Sequence, residues 1–250
     1  RVAARIKKAT NSAEEMGKVI GKSDLQKESL DQYLYARHAP ERNRVMTERY
    51  QNRIQEIKDK AAETKRELAP KEKKEVEKLE SYIEEGRGSG ITDQQAQEIM
   101  DGFSESEKKS LQEAAVIHDK LIQNTRNTIR ESGLQSDETV DLYEDQYEFY
   151  TPLKGFQELD PNKVLSQDYA KSSGVDVRSS GIDFAEGRVT EAADMSATAV
   201  NQNARIHMLA ERNKVANTVL DFVKENPNEK VYKVVDQKAF DKLGSTEKDR

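Results

Sequence analysis

The chain has 250 residues, 35% of them charged and 34% apolar, with a net charge of −6. So low an apolar content excludes a thick single core, and Leu, Ile, Val and Phe together stand near the roughly 20% level below which disorder becomes the better expectation. The small net charge excludes strong self-repulsion, so helices packed through narrow apolar seams fit better than a random coil.

Twelve glycines and five prolines are too few to punctuate many short strands, and helices are the default. With no cysteine there are no disulfides, thiolate metal ligands or thiol nucleophiles. No stretch approaches the ~18 consecutive apolar residues of a membrane span, and none has the layout of a signal peptide, so a soluble chain is expected. A start at Arg1 rather than Met suggests trimming, or a segment of something longer.

Residues 1–20 read as a helix with Val2, Ile6 and Met16 on one side and Arg1, Arg5, Lys7 and Lys8 at its start. A second helix is expected from about Ser23 to His38, where Leu30, Tyr33, Leu34 and Arg37 recur at threes and fours until Pro40 interrupts. From Glu41 to Leu68 the positions Met46, Tyr50, Ile54, Ile57, Ala61, Thr64 and Leu68 form a narrow seam suited to a neighbouring helix. Pro70 ends it, and Lys71–Glu85 continues as a charged, solvated helix with pairs such as Lys71 with Glu75 and Lys73 with Glu77.

The stretch 86–90 (GRGSG) reads as a flexible linker, followed by Thr92 as the N-cap of a short helix to Met100. Ser104 and Glu107 form a capping box for a helix to about Glu131, with Leu111, Ala115, His118, Ile122, Thr125 and Ile129 on one stripe and Gly133 as the stop. Ser136–Tyr150 is short, acidic and aromatic, with Tyr143, Tyr147 and Tyr150 spaced for one helical face.

From about 151 to 187 a run rich in glycine, proline and polar residues reads as an irregular crossing segment. A last helix is expected from Thr190 to Lys224, with Ala197, Val200, Ala204, Met208, Val215, Val219 and Phe222 near one face. Lys230–Asp236 is the one convincing strand candidate. The fold expected is therefore mainly α: an elongated helical bundle, with two regions at 1–132 and 133–250 or one continuous fragment of a larger protein.

No constellation commits the chain to catalysis, a metal or a cofactor. Gly17–Ser23 (GKVIGKS) is one residue short of a phosphate loop and follows a helical pattern rather than a strand. His38 and His207 stand three and four residues before Glu41 and Glu211, as ligands do on bundle helices, but Pro40 spoils the first pair and no set of inward carboxylates accompanies them. His118 on its apolar stripe reads as a hydrogen-bonded core histidine. The acidic run from Asp137 to Glu148 would repel a nucleic-acid backbone; with its aromatic neighbours it is either a docking surface or a helix that buries its tyrosines.

Four stretches taken together, 31–43 (DQYLYARHAPERN), 88–93 (GSGITD), 150–156 (YTPLKGF) and 211–228 (ERNKVANTVLDFVKENPN), resemble a segment of the very large polyvalent proteins of bacteriophages and related mobile elements, some of which travel in the capsid and enter with the DNA. The resemblance runs from about residue 25 to 235 and leaves the first helix and Lys71–Glu85 unmatched. It implies a non-enzymatic structural or assembly segment; the candidate contact residues are Tyr143, Tyr147, Tyr150, Phe156, Glu211, Arg212 and Asn213, in the Tyr/acidic stretch and the residues after it and on the last helix. Implied partners are other domains or copies of a large phage protein and the portal, tail or core proteins of a virion; the place implied is the virion interior or the bacterial host cytoplasm. The alternative is an accessory to a phage polymerase, helicase or methyltransferase that touches DNA. A thin-cored chain without cysteine would also unfold readily for passage through a narrow channel.

Overall fold

The computed structural model describes residues 2–153 and 187–228. The crossing segment from 154 to 186, Phe156 within it, the strand candidate Lys230–Asp236 and Arg1 lie outside the described residues, as does the side chain of Arg5. Among the described residues there are seven helices: α1 (Val2–Gly21), α2 (Lys27–Glu63), α3 (Pro70–Glu84), α4 (Asp93–Asp101), α5 (Glu105–Ser132), α6 (Asp137–Gln146) and α7 (Met195–Glu225). None of them is long and apolar enough to cross a membrane.

The α5 stripe falls as its spacing requires, with Leu111, Ala115, His118, Ile122, Thr125 and Ile129 all buried. Ser104 and Glu107 cap its start reciprocally, and Gly133 ends it at φ 66°. Against this stripe pack α1 and α7. Ala9 meets Leu121, Ile122 and Ala199, while Met16 and Ile20 share a cluster with Leu111 and Met195, so α1 runs antiparallel to both other helices. Farther along, Ile129 meets Val140 and Ile206, which makes α5 and α7 parallel. Residues from before and after Gly133 thus share each of these three cores.

Helix α2 departs from expectation by running unbroken through Pro40. The ring costs a backbone hydrogen bond, on the order of 3 kcal/mol in a helix interior. Burial of Leu34, Ala36, His38 and Ala39 before it and of Val45, Met46 and Tyr50 after it holds the helix on both sides. Pro40 itself stands on the exposed side, so its ring displaces no core side chain.

The seam of α2 does pack on a neighbour: Ile54 and Ile57 cluster with Val76 of α3, flanked by Leu68, Leu79 and Ile83. The helix ends at Glu63, so Thr64 lies beyond it. One side of α3 is therefore buried rather than solvated, and its charges reach across helices: Glu75 accepts from Arg53 at 2.8 Å, and Glu80 lies 3.4 Å from Lys58.

Helix α7 begins at Met195, five residues later than expected, and buries a different face. Met195, Ser196, Ala199, Asn203, Ile206, His207 and Ala210 are buried, whereas Ala197, Val200, Ala204 and Met208 are half-buried at the flank. Polar groups can lie inward because α5 satisfies them. Asn203 Nδ2 donates to Thr125 Oγ1 at 2.9 Å and to Asn124 Oδ1 at 3.1 Å, and His207 Nε2 lies 3.1 Å from the same Asn124 oxygen.

Its start is capped from a distance. Asp194 at the N-cap position has φ 50° and makes no side-chain cap, and Asp31 of α2 accepts the Ser196 N–H at 2.8 Å instead. Lys27 bridges Asp31 and Asp194 at 2.6 Å each, an arrangement that raises its pKa against the opposing effect of burial. Asp31→Ala is expected to cost about 1–2 kcal/mol in urea denaturation, the usual loss for a cap, with faster amide exchange at Ser196.

Candidate functional site

Several described residues of the stretches 31–43, 88–93, 150–156 and 211–228 lie at joints between helices, whereas 154–156 fall outside the described residues and 214–228 belong to the exposed end of α7. The first joint is built on Asn43 of α2. Its Oδ1 accepts the Ser89 N–H at 2.8 Å, while Nδ2 donates to the Ile91 carbonyl at 3.0 Å and to Asp93 Oδ1 at 2.7 Å. Tyr35 donates to the Ser89 carbonyl at 3.0 Å and accepts from Ala192 N–H at 3.3 Å. Tyr50 accepts from Gly187 N–H at 3.0 Å.

Arg188 then exchanges two backbone hydrogen bonds of 3.0 Å with Gly88, tying the approach to α7 onto this turn. The stretch 86–90, read as a flexible linker, is instead clamped at its C-terminal part, with Ser89 fully buried. Glycine is required there. A Cβ on Gly88 would lie 2.9 Å from Asn43 Cα, and Gly90, at φ 106°, would bring one within 2.7 Å of the Thr190 carbonyl carbon.

The second joint lies where the chain leaving α6 crosses α2 and α5. Only Tyr143 of the three tyrosines is helical, because α6 ends at Gln146 and Tyr147 is extended. Tyr147 is buried and accepts a 2.9 Å hydrogen bond from Arg42 Nη1; Tyr143 and Tyr150 are half-buried. The rings of His38, Tyr147 and Tyr150 meet at centroid distances of 5.3 to 5.7 Å. Glu41 accepts the backbone N–H groups of Glu148 and Phe149 at 3.3 and 3.1 Å, and Arg37 lies 4.6 Å from the Phe149 ring centroid.

Arg37 also grips Asp119 with two hydrogen bonds of 2.6 and 3.0 Å, and Asp119 Oδ1 lies 3.3 Å from His118 Nδ1. Burial works against the ionised form of Asp119, but His118 and Arg37 overcome it and hold the carboxyl below its ordinary range. Burial, with Arg42 and His118 close by, pushes the pKa of His38 down to about 3. Burial likewise raises the Tyr150 phenol and lowers the Arg126 guanidinium, which lies 5.6 Å from the Tyr150 ring centroid.

Arg130 of α5 meets the acidic face of α6. It reaches Asp141, lies 3.1 Å from Glu144 and 3.6 Å from Asp137, and Gln123 donates to Glu144 at 2.9 Å. A third joint closes the end of α5, where Asn213 Nδ2 donates to the Ser132 carbonyl at 2.7 Å. Glu211 and Arg212, which precede Asn213 directly, are half-buried, with Glu211 3.9 Å from Lys214.

The structure therefore brings Tyr147 and Tyr150 together on His38, leaves Tyr143 on α6, and sets Asn213 of α7, next to Glu211 and Arg212, on the end of α5. Among the described residues, no group of three or more His, Asp and Glu side chains is arranged to hold a metal ion. No protein-family model, curated protein or solved structure matches the chain.

Asn43, Tyr35 and Asp31 escaped the sequence reading as joint residues, although they lie inside the stretch 31–43. Their partners across the joints lie 46 to 165 residues away along the chain, a distance that no local pattern reports.

Proposed function

We propose that this chain is a non-enzymatic structural or assembly segment of a large phage-encoded protein, an internal virion protein that travels with the genome. The observation that supports the reading is the Asn43 joint, where one side chain accepts one hydrogen bond and donates two, knitting the stretches 31–43 and 88–93 together. The other recognised stretches serve in the same way, Tyr150 against His38 and Asn213 on the end of α5. Side chains committed to positioning helices suit a module that holds neighbouring parts in register. A cysteine-free bundle with several small cores also suits passage through a narrow channel.

The groove of about 740 Å³ lined by α2, α3 and the end of α6 lends the DNA-accessory alternative no support. Arg44, Arg49, Arg53 and Lys78 line it, but so do Glu48, Glu56, Glu75 and Asp145, so it offers a phosphate backbone no net positive charge. The deciding experiment is mass spectrometry of purified, nuclease-treated particles. Peptides from 45–53 and 111–120 in the particle support the assembly reading. Their confinement to the soluble fraction of infected cells, with DNA binding that weakens steeply with salt, would replace it by the accessory one.

A further inference from the structure

The chain from 147 to 153 lies across the bundle as a strap, held by a short run of α2. Glu41 accepts the N–H groups of Glu148 and Phe149, Arg42 donates to the Tyr147 hydroxyl, and Arg37 lies over the Phe149 ring. His38 sits between them, in contact with the rings of both Tyr147 and Tyr150. All four residues flank Pro40, where α2 lacks one of its own backbone hydrogen bonds. Beneath the strap, α1, α5 and α7 pack on one another through Leu121, Ile122 and Ala199, and α5 on α7 through Ile129 and Ile206. Tyr150 and Leu153 touch these cores only from the edge.

His38 is 1% exposed, and its Nδ1 has no hydrogen-bond partner among the described residues. Around it stand Arg37, Glu41 and Arg42 of α2, His118 and Asp119 of α5, and the two tyrosines of the strap; Arg126 of α5 and the neutral Gln202 of α7 lie beside Tyr150. The two carboxylates are already engaged, Glu41 by the strap amides and Asp119 by Arg37. An imidazolium here would be a buried charge among arginines, and lifting the strap is the shortest way to bring water to it.

We propose that mild acid releases the strap while the helices beneath it stay folded, uncovering Tyr147 and Tyr150 together. Burial, Arg42, His118 and Arg37 hold the pKa of His38 at about 3 in the closed form, against the hydrogen bond with the Phe149 backbone, whereas a hydrated imidazole titrates near 6.5. The open form therefore binds the extra proton between these values, so the strap is most secure above about pH 6.5 and loosens as pH falls. Tyr147, a candidate contact residue, is buried while the strap is closed and can meet a partner only after release.

Thiol labelling of the full chain tests this, because the chain has no cysteine of its own. Thr151→Cys puts a thiol in the strap at a position 1% exposed, and Ala115→Cys puts one in the core of α5 at 0%. Labelling by a dipyridyl disulfide, corrected for its rate with an unfolded cysteine peptide, should accelerate at least roughly tenfold at position 151 between pH 7 and pH 5 and stay negligible at 115. Adding His38→Phe should abolish the acceleration, which separates His38 from His118 and His207. In the unsubstituted chain, the Glu148 and Phe149 amides should lose a similar factor of exchange protection over the same interval. Equal acceleration at 151 and 115 would mean that the whole fold opens and would overturn the proposal. So would no acceleration at 151, or one that survives His38→Phe. None of these outcomes bears on the particle experiment, which tests the assembly reading separately.

Discussion

Gly90→Ala is expected to destabilise the chain by about 3 kcal/mol or more, the range of a strained backbone position that also meets a steric clash. For a chain of this size that corresponds to a fall in Tm of roughly 6–12 °C. Two effects combine. The backbone sits at φ 106°, where L side chains are strained, and the new methyl would run into the Thr190 carbonyl while lying 3.0 Å from the Tyr35 hydroxyl. The turn cannot move away without surrendering the hydrogen bonds of Asn43 to Ser89 and Ile91. Gly86→Ala is the internal control. It shares a positive φ, 63°, but a Cβ there meets nothing within 4 Å, so its cost should stay near 1 kcal/mol, the strain of a left-handed residue alone. Equal losses at the two positions in urea denaturation would show that position 90 is not packed against the approach to α7.

The contrast between these glycines also marks where the sequence was readable. Local rules placed Ser104 with Glu107, Thr92 and Gly133, because caps and stops depend on residues within a turn of one another. The α5 stripe was legible for the same reason, its burial following a period written in apolar residues. The stretch 86–90 was not, since a glycine-rich run looks alike whether it is a loose linker or a turn with no room for a Cβ. What distinguishes them is Asn43, 45 residues upstream of Gly88.

On α7 the apolar pattern pointed to the face bearing Val200, Met208 and Val219, yet the helix buries Asn203 and His207. Periodicity treats an asparagine as a solvent residue, whereas here Asn124 and Thr125 of α5 make its burial possible. Pro40 misled in the opposite direction, because tertiary burial on both sides outweighed a local break. Spacing of Tyr143, Tyr147 and Tyr150 suggested one helical face, but the helix stops at Gln146, and ring packing on His38 brings Tyr147 and Tyr150 together instead.

His38 is expected to make the fold sensitive to mild acid. Its imidazole takes up a proton near pH 6.5 in the unfolded chain but only near pH 3 when folded. Between those values the unfolded state holds the extra proton, so stability is complete above about pH 6.5 and declines as pH falls. The loss amounts to about 2 kcal/mol by pH 5 and about 4–5 kcal/mol by pH 3, at 1.36 kcal/mol per pKa unit.

Asp119 acts in a lower window. Its carboxyl is held below 3.8, so its contribution is present above that value and is lost as pH drops through the folded pKa. The interval from pH 7 to 5 therefore separates the effect of His38 from that of Asp119. His38→Phe keeps an aromatic ring against Tyr147 and Tyr150 and removes the titration, so the difference between urea midpoints at pH 7 and pH 5 should shrink by most of that 2 kcal/mol. An unchanged difference would mean that the buried imidazole does not carry the acid sensitivity.

Amide hydrogen exchange on the intact chain tests most directly whether the stretches 31–43 and 88–93 are joints that hold the helices in place. The amides of Gly88, Ser89, Arg188 and Ser196 all lie outside helix interiors or at a helix start, yet each donates across the fold. They should exchange as slowly as the middle of α5, opening only with the bundle as a whole. Exchange of these four at the rate of an unstructured loop, while α5 stays protected, would contradict the account.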